Sequence, residues 1–265
     1  LGRPQLAGLS ILKALMLHQS PNLVVPQMHK AAFGWRSVVA LGGAQQALYC
    51  RISNLTNFGW QQSAVGSCGL ELSSFEQCEL AIAAVASGCS AAGFRFNRGI
   101  STRECLKIEK LIAAWPHYSG NLAIEFDVGE VGDSSSVLFS ALCSLRRLGV
   151  ALVCSEFGLT AFSAHDLLAL RIGAIRIAEP IVRLAGENGS CDRVLRGARL
   201  SASTFAPLVI ATGVDEESML ERVVSIGFEF GEGDALAPMT ISRPWKLTEA
   251  GLTASVQDAK PRVLQ

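Results

Sequence analysis

Charge of one sign is what this chain lacks first: 23 basic and 23 acidic residues cancel to a formal net charge of zero over 265 residues. Nothing global therefore argues for nucleic acid or an anionic membrane as a partner. No apolar run approaches the ~20 residues of a bilayer-spanning helix, so no membrane partner is expected within this chain. Residues 1–20 lack the charged start and cleavage pattern of a secretory signal. An excerpt of a longer protein is expected from the absence of an initiating Met. Histidine is scarce: His18, His29, His117 and His165 stand singly, none with a second ligand at fixed spacing. They read as solvated rather than catalytic. The eight cysteines form no CxxC pair and no Cys/His cluster at zinc-ligand spacing. Free thiols in a reducing compartment follow, which places the chain in the cytosol. There is no P-loop, internal repeat, heptad array or low-complexity tract.

What is present is apolar: 49% hydrophobic and 17% charged residues, enough for one large core in a single domain. The stretch Gly149–Thr160 (GVALVCSEFGLT) organises the rest. An amphipathic segment, Asp133–Leu148, stops at Gly149, a short apolar strand Val150–Cys154 follows, and Ser155–Glu156 come at its C-terminal end before the turn Phe157–Gly158. In parallel α/β folds chemistry collects at that end, so Glu156 should border any site. Helices are expected at Leu9–Leu17, Ser74–Ser87, Arg103–Trp115, Ala164–Leu170, Cys191–Ser203 and Glu216–Ile226. Strands are expected at Asn22–Pro26, Arg36–Leu41, Gly93–Asn97, Asn121–Phe126, Ala174–Ile177, Leu208–Ala211 and Phe228–Phe230. The first two of these strands would form a hairpin, and Gly42–Leu72 reads as irregular connection. Eight strand candidates in a βαβα order favour a closed parallel barrel over a doubly wound open sheet. Phe94, Phe96, Phe126 and Phe157 read as barrel packing. Arg193, Arg196 and Arg199 share one helix face, most simply a solvated one.

The series of segments resembles the bacterial EAL domains, which hydrolyse or sense cyclic di-GMP. LAIEFD resembles the family's strand with a metal-binding Glu, SEFG its Asp-Asp-Phe-Gly, AIRIA its Lys-Ile-Asp strand, ATGVD its Glu-Gly-Val-Glu, and FGEGDALAP its closing Gln-Gly segment. VVPQM resembles the Gln-Pro strand, and Val39-Ala40-Leu41 follows where the signature Glu-Ala-Leu is expected. Gln46-Ala47-Leu48 competes for the signature but breaks the spacing from Pro26. The resemblance spans about Ile11–Pro238. It implies an α/β fold, a TIM-like (βα)8 barrel of EAL type with one inverted strand, over residues 1–240, with 241–265 as an extension. It also implies a two-metal phosphodiesterase site, from which this chain departs. Val39 stands for the signature Glu, Gly43 for a phosphate-holding Arg and Val25 for the Gln before Pro26. Ser155 and Glu156 replace the Asp pair, Arg176 the Lys, Ala178 the next Asp, Thr212 the general-base Glu and Asp215 the second Glu. Asn97 and Glu125 alone keep metal-ligand identities.

Two divalent ions about 4 Å apart need hard, mostly carboxylate ligands to offset desolvation and mutual repulsion. Val39 removes one such ligand and Arg176 adds a fixed positive charge, so no metal, no cofactor and no hydrolysis are expected. The residual pocket is Asn97, Glu125, Glu156, Arg176 and Asp215, with Glu125 paired to Arg176. Acidic residues after the last two strands, Asp215 to Glu217 and Glu229 to Asp234, oppose an anionic ligand. Arg95 and Arg98 are the phosphate-binding candidates if cyclic di-GMP binds. The reading that results is a bacterial signalling module that acts on a protein partner, a second copy included. Leu159 and Phe162, in the segment after SEFG, are the candidate interface. A non-hydrolysing cyclic di-GMP receptor is the alternative, and a residual phosphodiesterase comes after it.

Overall fold

The computed structural model describes residues 33–42, 46–54, 72–131, 136–184 and 189–240. Eight strands close into a barrel in sequence order: β1 Phe33–Ala40, β2 Ala47–Asn54, β3 Ala92–Arg95, β4 Leu122–Asp127, β5 Ala151–Phe157, β6 Ala174–Ile177, β7 Leu208–Thr212 and β8 Phe230–Glu232. β1 runs antiparallel to both β2 and β8, while every other neighbour pair is parallel. This is the TIM-like barrel with one inverted strand that the segment order implied.

The hairpin partner of β1 is a correction. Asn22–Pro26 lies outside the described residues, as does Leu9–Leu17, and the strand paired to β1 is β2, within the stretch read as irregular. Its pattern hid it because Tyr49, Arg51 and Ser53 alternate with Cys50 and Ile52, so the inward face is polar and no apolar run marks the strand. β8 lies two residues later than expected. β5 extends through Phe157, because the strand continues past its apolar part into Ser155 and Glu156.

Helices α1 Ser74–Ala86, α2 Thr102–Ala113, α3 Val137–Arg147, α4 Ala164–Leu170, α5 Glu179–Leu184, α6 Gly189–Ala202 and α7 Glu217–Ile226 fill the crossovers. The start of α1 is fixed by a capping box: the Ser73 hydroxyl accepts from the Glu76 amide, and the Glu76 carboxylate accepts from the Ser73 amide. Ser101 and Ser136 cap α2 and α3 in the same way on one side. α3 buries Leu138, Leu142 and Leu145, one helical stripe against the barrel.

Alternation along the strands makes two apolar layers. Outward residues such as Cys50, Phe94, Ile124, Phe126, Leu152, Cys154 and Ile175 pack with the helices into the large outer core. Inward residues Val38, Tyr49, Ala123, Val153, Ala174 and Ile210 form a small plug inside the barrel. The next inward position on each strand, toward the C-terminal ends of the parallel strands, is where the polar site begins.

Candidate functional site

Two residues beyond the plug, the strands present a ring at the barrel mouth: Arg51 after Tyr49, Glu125 after Ala123, Ser155 after Val153, Arg176 after Ala174 and Thr212 after Ile210. Arg36 from inverted β1, Arg95 from β3 and Glu232 from β8 complete it. All but Glu125 line a cavity of about 320 Å³; Glu125 lies at its floor, 1% exposed.

The floor is a closed cycle of ion pairs. Arg176 donates from Nη1 to Glu125 at 2.7 Å and from Nη2 to Glu232 at 2.8 Å. Arg51 bridges the same two carboxylates, its Nε 3.0 Å from Glu125 Oε1 and its Nη1 3.0 Å from Glu232 Oε1. Tyr49 donates its hydroxyl to Glu125 at 3.0 Å. Burial alone would push the Glu125 carboxyl up, but the charges of Arg176, Arg51 and Arg95 outweigh it and hold Glu125 below the ordinary carboxylate value. Arg176 responds in the opposite sense: burial works against its charge, and Glu125 and Glu232 push its pKa up regardless. The same burial, with Glu125 beside it, keeps the Tyr49 hydroxyl protonated.

The rim is less tightly paired. Arg36 reaches Asp234 at 3.2 Å. Arg95 lies 4.0 Å from Asp127, which also accepts from exposed Arg98 at 3.0 Å; Arg98 then reaches Glu130 at 3.5 Å. Asp215 accepts from Arg183 at 2.8 Å and from the amide of Asp234 at 3.0 Å. Glu156 does border the cavity, half-buried; its carbonyl accepts from the Leu159 amide at 3.4 Å, its side chain makes no hydrogen bond or ion pair to any described residue, and its backbone sits in the left-handed region at φ 57°. Ser155 and Thr212 donate their hydroxyls to the carbonyls of Phe126 and Ile177, at 3.0 and 2.6 Å.

Of the residues singled out from the sequence, Glu125, Ser155, Glu156, Arg176, Thr212 and Asp215 therefore converge, and the Glu125–Arg176 pair is made. Val39 and Asn97 do not join them. Val39 belongs to the outer core, because side chains alternate along β1 and its inward residues are Arg36 and Val38. Asn97 lies past the end of β3 and turns toward α1, accepting from Gln77 at 3.0 Å and donating to the Leu72 carbonyl at 2.8 Å. Phe162 is no free surface residue either: its ring packs on Phe157 and Phe205 at 5.0 and 5.5 Å, whereas Leu159 is 50% exposed. Gly43 and Val25 lie outside the described residues.

The EAL domain family model matches residues 102–239, more than half of the chain. The chain belongs to the EAL family. Solved EAL domains share its fold. That of Mycobacterium smegmatis DcpA has a TM-score of 0.66 at 15% identity, covering 83% of this chain and 98% of its own. An EAL domain protein from Listeria monocytogenes EGD-e gives 0.64 at 14%, covering 84% and 92%. A standalone versatile EAL protein from Vibrio cholerae O395, in a cyclic di-GMP bound form, gives 0.59 at 14%, covering 82% and 97%. No curated protein sequence matches significantly. The EAL match begins at α2, so β1, β2 and β3, which supply Arg36, Arg51 and Arg95, lie in the part that the family model leaves unmatched.

The pair of divalent ions that an EAL domain implies does not fit this donor set. Both floor carboxylates are already shared between two guanidiniums, and the ring holds four arginines against two glutamates. Among the described residues no cluster of three or more His, Cys, Asp or Glu side chains is placed to hold an ion. Sequence reasoning missed Arg36, Tyr49 and Arg51, and took Glu232 only as a charge opposing anions. The alternation Tyr49, Arg51, Ser53 was the signal that could have revealed β2 and its inward arginine.

Proposed function

We propose that this EAL domain is a regulatory module in cyclic di-GMP signalling that does not hydrolyse the nucleotide and works by binding another protein. One observation carries the reading: Arg51 and Arg176 clamp Glu125 and Glu232 in a closed cycle. In a two-metal hydrolase, dications generate the attacking hydroxide and stabilise the leaving oxygen. Guanidinium groups can steady charge on a leaving oxygen, but they stay protonated and cannot generate the attacking hydroxide. Two further dications beside four arginines would meet strong repulsion, with no spare carboxylate on the floor to screen it. The barrel nonetheless keeps its plug, outer core and helix caps, so it persists as a stable surface. The segment after β5, with Leu159 exposed, supplies the partner contact, and a second copy of the chain is one such partner.

A nucleotide receptor is the second reading, favoured by the partly exposed Arg95 and Arg98 beside a cavity of about 320 Å³. Calorimetric titration of cyclic di-GMP with and without Mg²⁺ or Ca²⁺, alongside a turnover assay, separates these outcomes. No turnover and no heat support the interaction module. Micromolar binding without turnover moves the assignment to the receptor. Metal-dependent turnover abolished by Glu125→Ala overturns both.

A further inference from the structure

Cys50 sits on β2 between the two residues that hold Glu125, Tyr49 and Arg51. Alternation turns its thiol outward, away from the mouth and into the outer core. Cys89 lies three residues before β3 and is buried in the same core. The two strands are parallel neighbours with Cys50 opposite Ala92. One carbonyl gathers both cysteines: Ala91 accepts from the Cys50 amide at 3.0 Å and from the Cys89 thiol at 3.1 Å. The Ser37 hydroxyl approaches the Cys50 sulfur at 3.7 Å from the other side.

From this arrangement we propose that Cys50 and Cys89 form a reversible disulfide site, oxidised by hydroperoxides, that ties β2 to the entry of β3. The contacts assign the roles: the Ser37 hydroxyl, 3.7 Å from the Cys50 sulfur, can donate to its thiolate, whereas the Cys89 thiol holds its proton on the Ala91 carbonyl. The neighbouring Cys89 and Ser37 lower the Cys50 thiol against burial, whereas the neighbouring Cys50 together with burial pushes Cys89 up. Cys50 is thus the attacking thiolate. It takes the distal oxygen of the hydroperoxide, breaking the O–O bond to give a sulfenic acid and releasing an alcohol, or water from hydrogen peroxide. The Cys89 sulfur then attacks the Cys50 sulfur, forming the S–S bond and releasing one water, so two thiols and one hydroperoxide give one disulfide, one alcohol and one water. Both residues are only 4–5% exposed, so the oxidant enters through local opening and reaction is slow. The bridge closes a loop holding residues 51–88, which includes Arg51 and α1, and a loop of that length is strongly constrained by a cross-link.

The test treats the whole chain with hydrogen peroxide under native conditions, followed by peptide mapping without reduction and by thermal melts. A Cys50–Cys89 cross-linked peptide, lighter than the sum of its parts by two hydrogens, is expected. With it the melting temperature rises by roughly 5–10 °C, and the rise disappears on adding dithiothreitol. Cys89→Ser removes both effects and Cys143→Ser keeps both; the wild-type peptide map decides even if the first variant folds poorly. Pairing of Cys50 with any other cysteine, or recovery of both residues as thiols after half-buried Cys143 and Cys191 have reacted to completion, overturns the proposal.

Discussion

Arg176 is the residue on which the mouth turns, because it is the buried charge common to both floor carboxylates. Its substitution by Met leaves Glu125 with Arg51 and Tyr49, and Glu232 with Arg51 and the more distant Arg36 at 3.8 Å; breaking a buried pair from one side costs about 3–5 kcal/mol. Urea denaturation of Arg176→Met is expected to show a loss of that order, and a loss below ~1 kcal/mol would mean that water screens the cycle. Glu125 adds a pH dependence of definite sign. Its folded pKa is depressed, so it stabilises the native state above the unfolded value of about 4.3 and loses that contribution as pH falls through the folded value. Glu125→Gln should flatten the acid limb of stability against pH while lowering stability at neutrality. Glu156, at φ 57°, carries strain of about 1 kcal/mol that a glycine does not feel. Glu156→Gly is therefore expected to be neutral or stabilising in the same denaturation series, despite removing a charge.

At the scale of elements, β2 has an apolar outer edge and a charged inner edge, and the ion cycle makes that tolerable. Tyr49→Phe keeps the plug but removes the donor to Glu125, which should cost about 2 kcal/mol, the range for hydrogen bonds to charged groups. The capping box of α1 is independent of the mouth. Ser73→Ala is expected to cost about 1 kcal/mol and to add to Tyr49→Phe without coupling, which a double-mutant cycle measures. The loop after β5 divides by burial: Phe162 belongs to an aromatic cluster with Phe157 and Phe205, so Phe162→Ala destabilises the barrel and is a poor probe of association. Leu159→Ala, and Leu168→Ala on exposed α4, are the proper probes.

For the whole molecule, light scattering should report weaker association for Leu159→Ala with an unchanged melting temperature; unchanged association would remove this segment as the contact. The barrel seam is closed by β1 and β8, and Thr240 then pairs with Trp35 through two backbone bonds of 2.7 and 3.0 Å. We propose that the barrel ends at residue 240, with 241–265 as an extension. A chain shortened to residues 1–240 is expected to keep the thermal transition of the full chain. Among the described residues no helix is long and apolar enough to cross a membrane.

The sequence by itself determined the barrel and its chain order from β3 onward, because there most strands carry short apolar runs and the helices between them show their own period. It also carried the identities of Ser155, Arg176 and Thr212, where the resemblance to EAL domains led us to expect other residue types within recognisable strands. Tertiary structure alone decided which residues gather at the barrel mouth. Alternation along β1 turns Val39 into the outer core, the inverted direction of β1 puts Arg36 at the mouth, and β2 brings Arg51 to residues 74 and 181 positions away in the chain. A charge buried on a strand looks like a loop residue until the carboxylates that compensate it are known, and those lie on the far strands of a closed barrel.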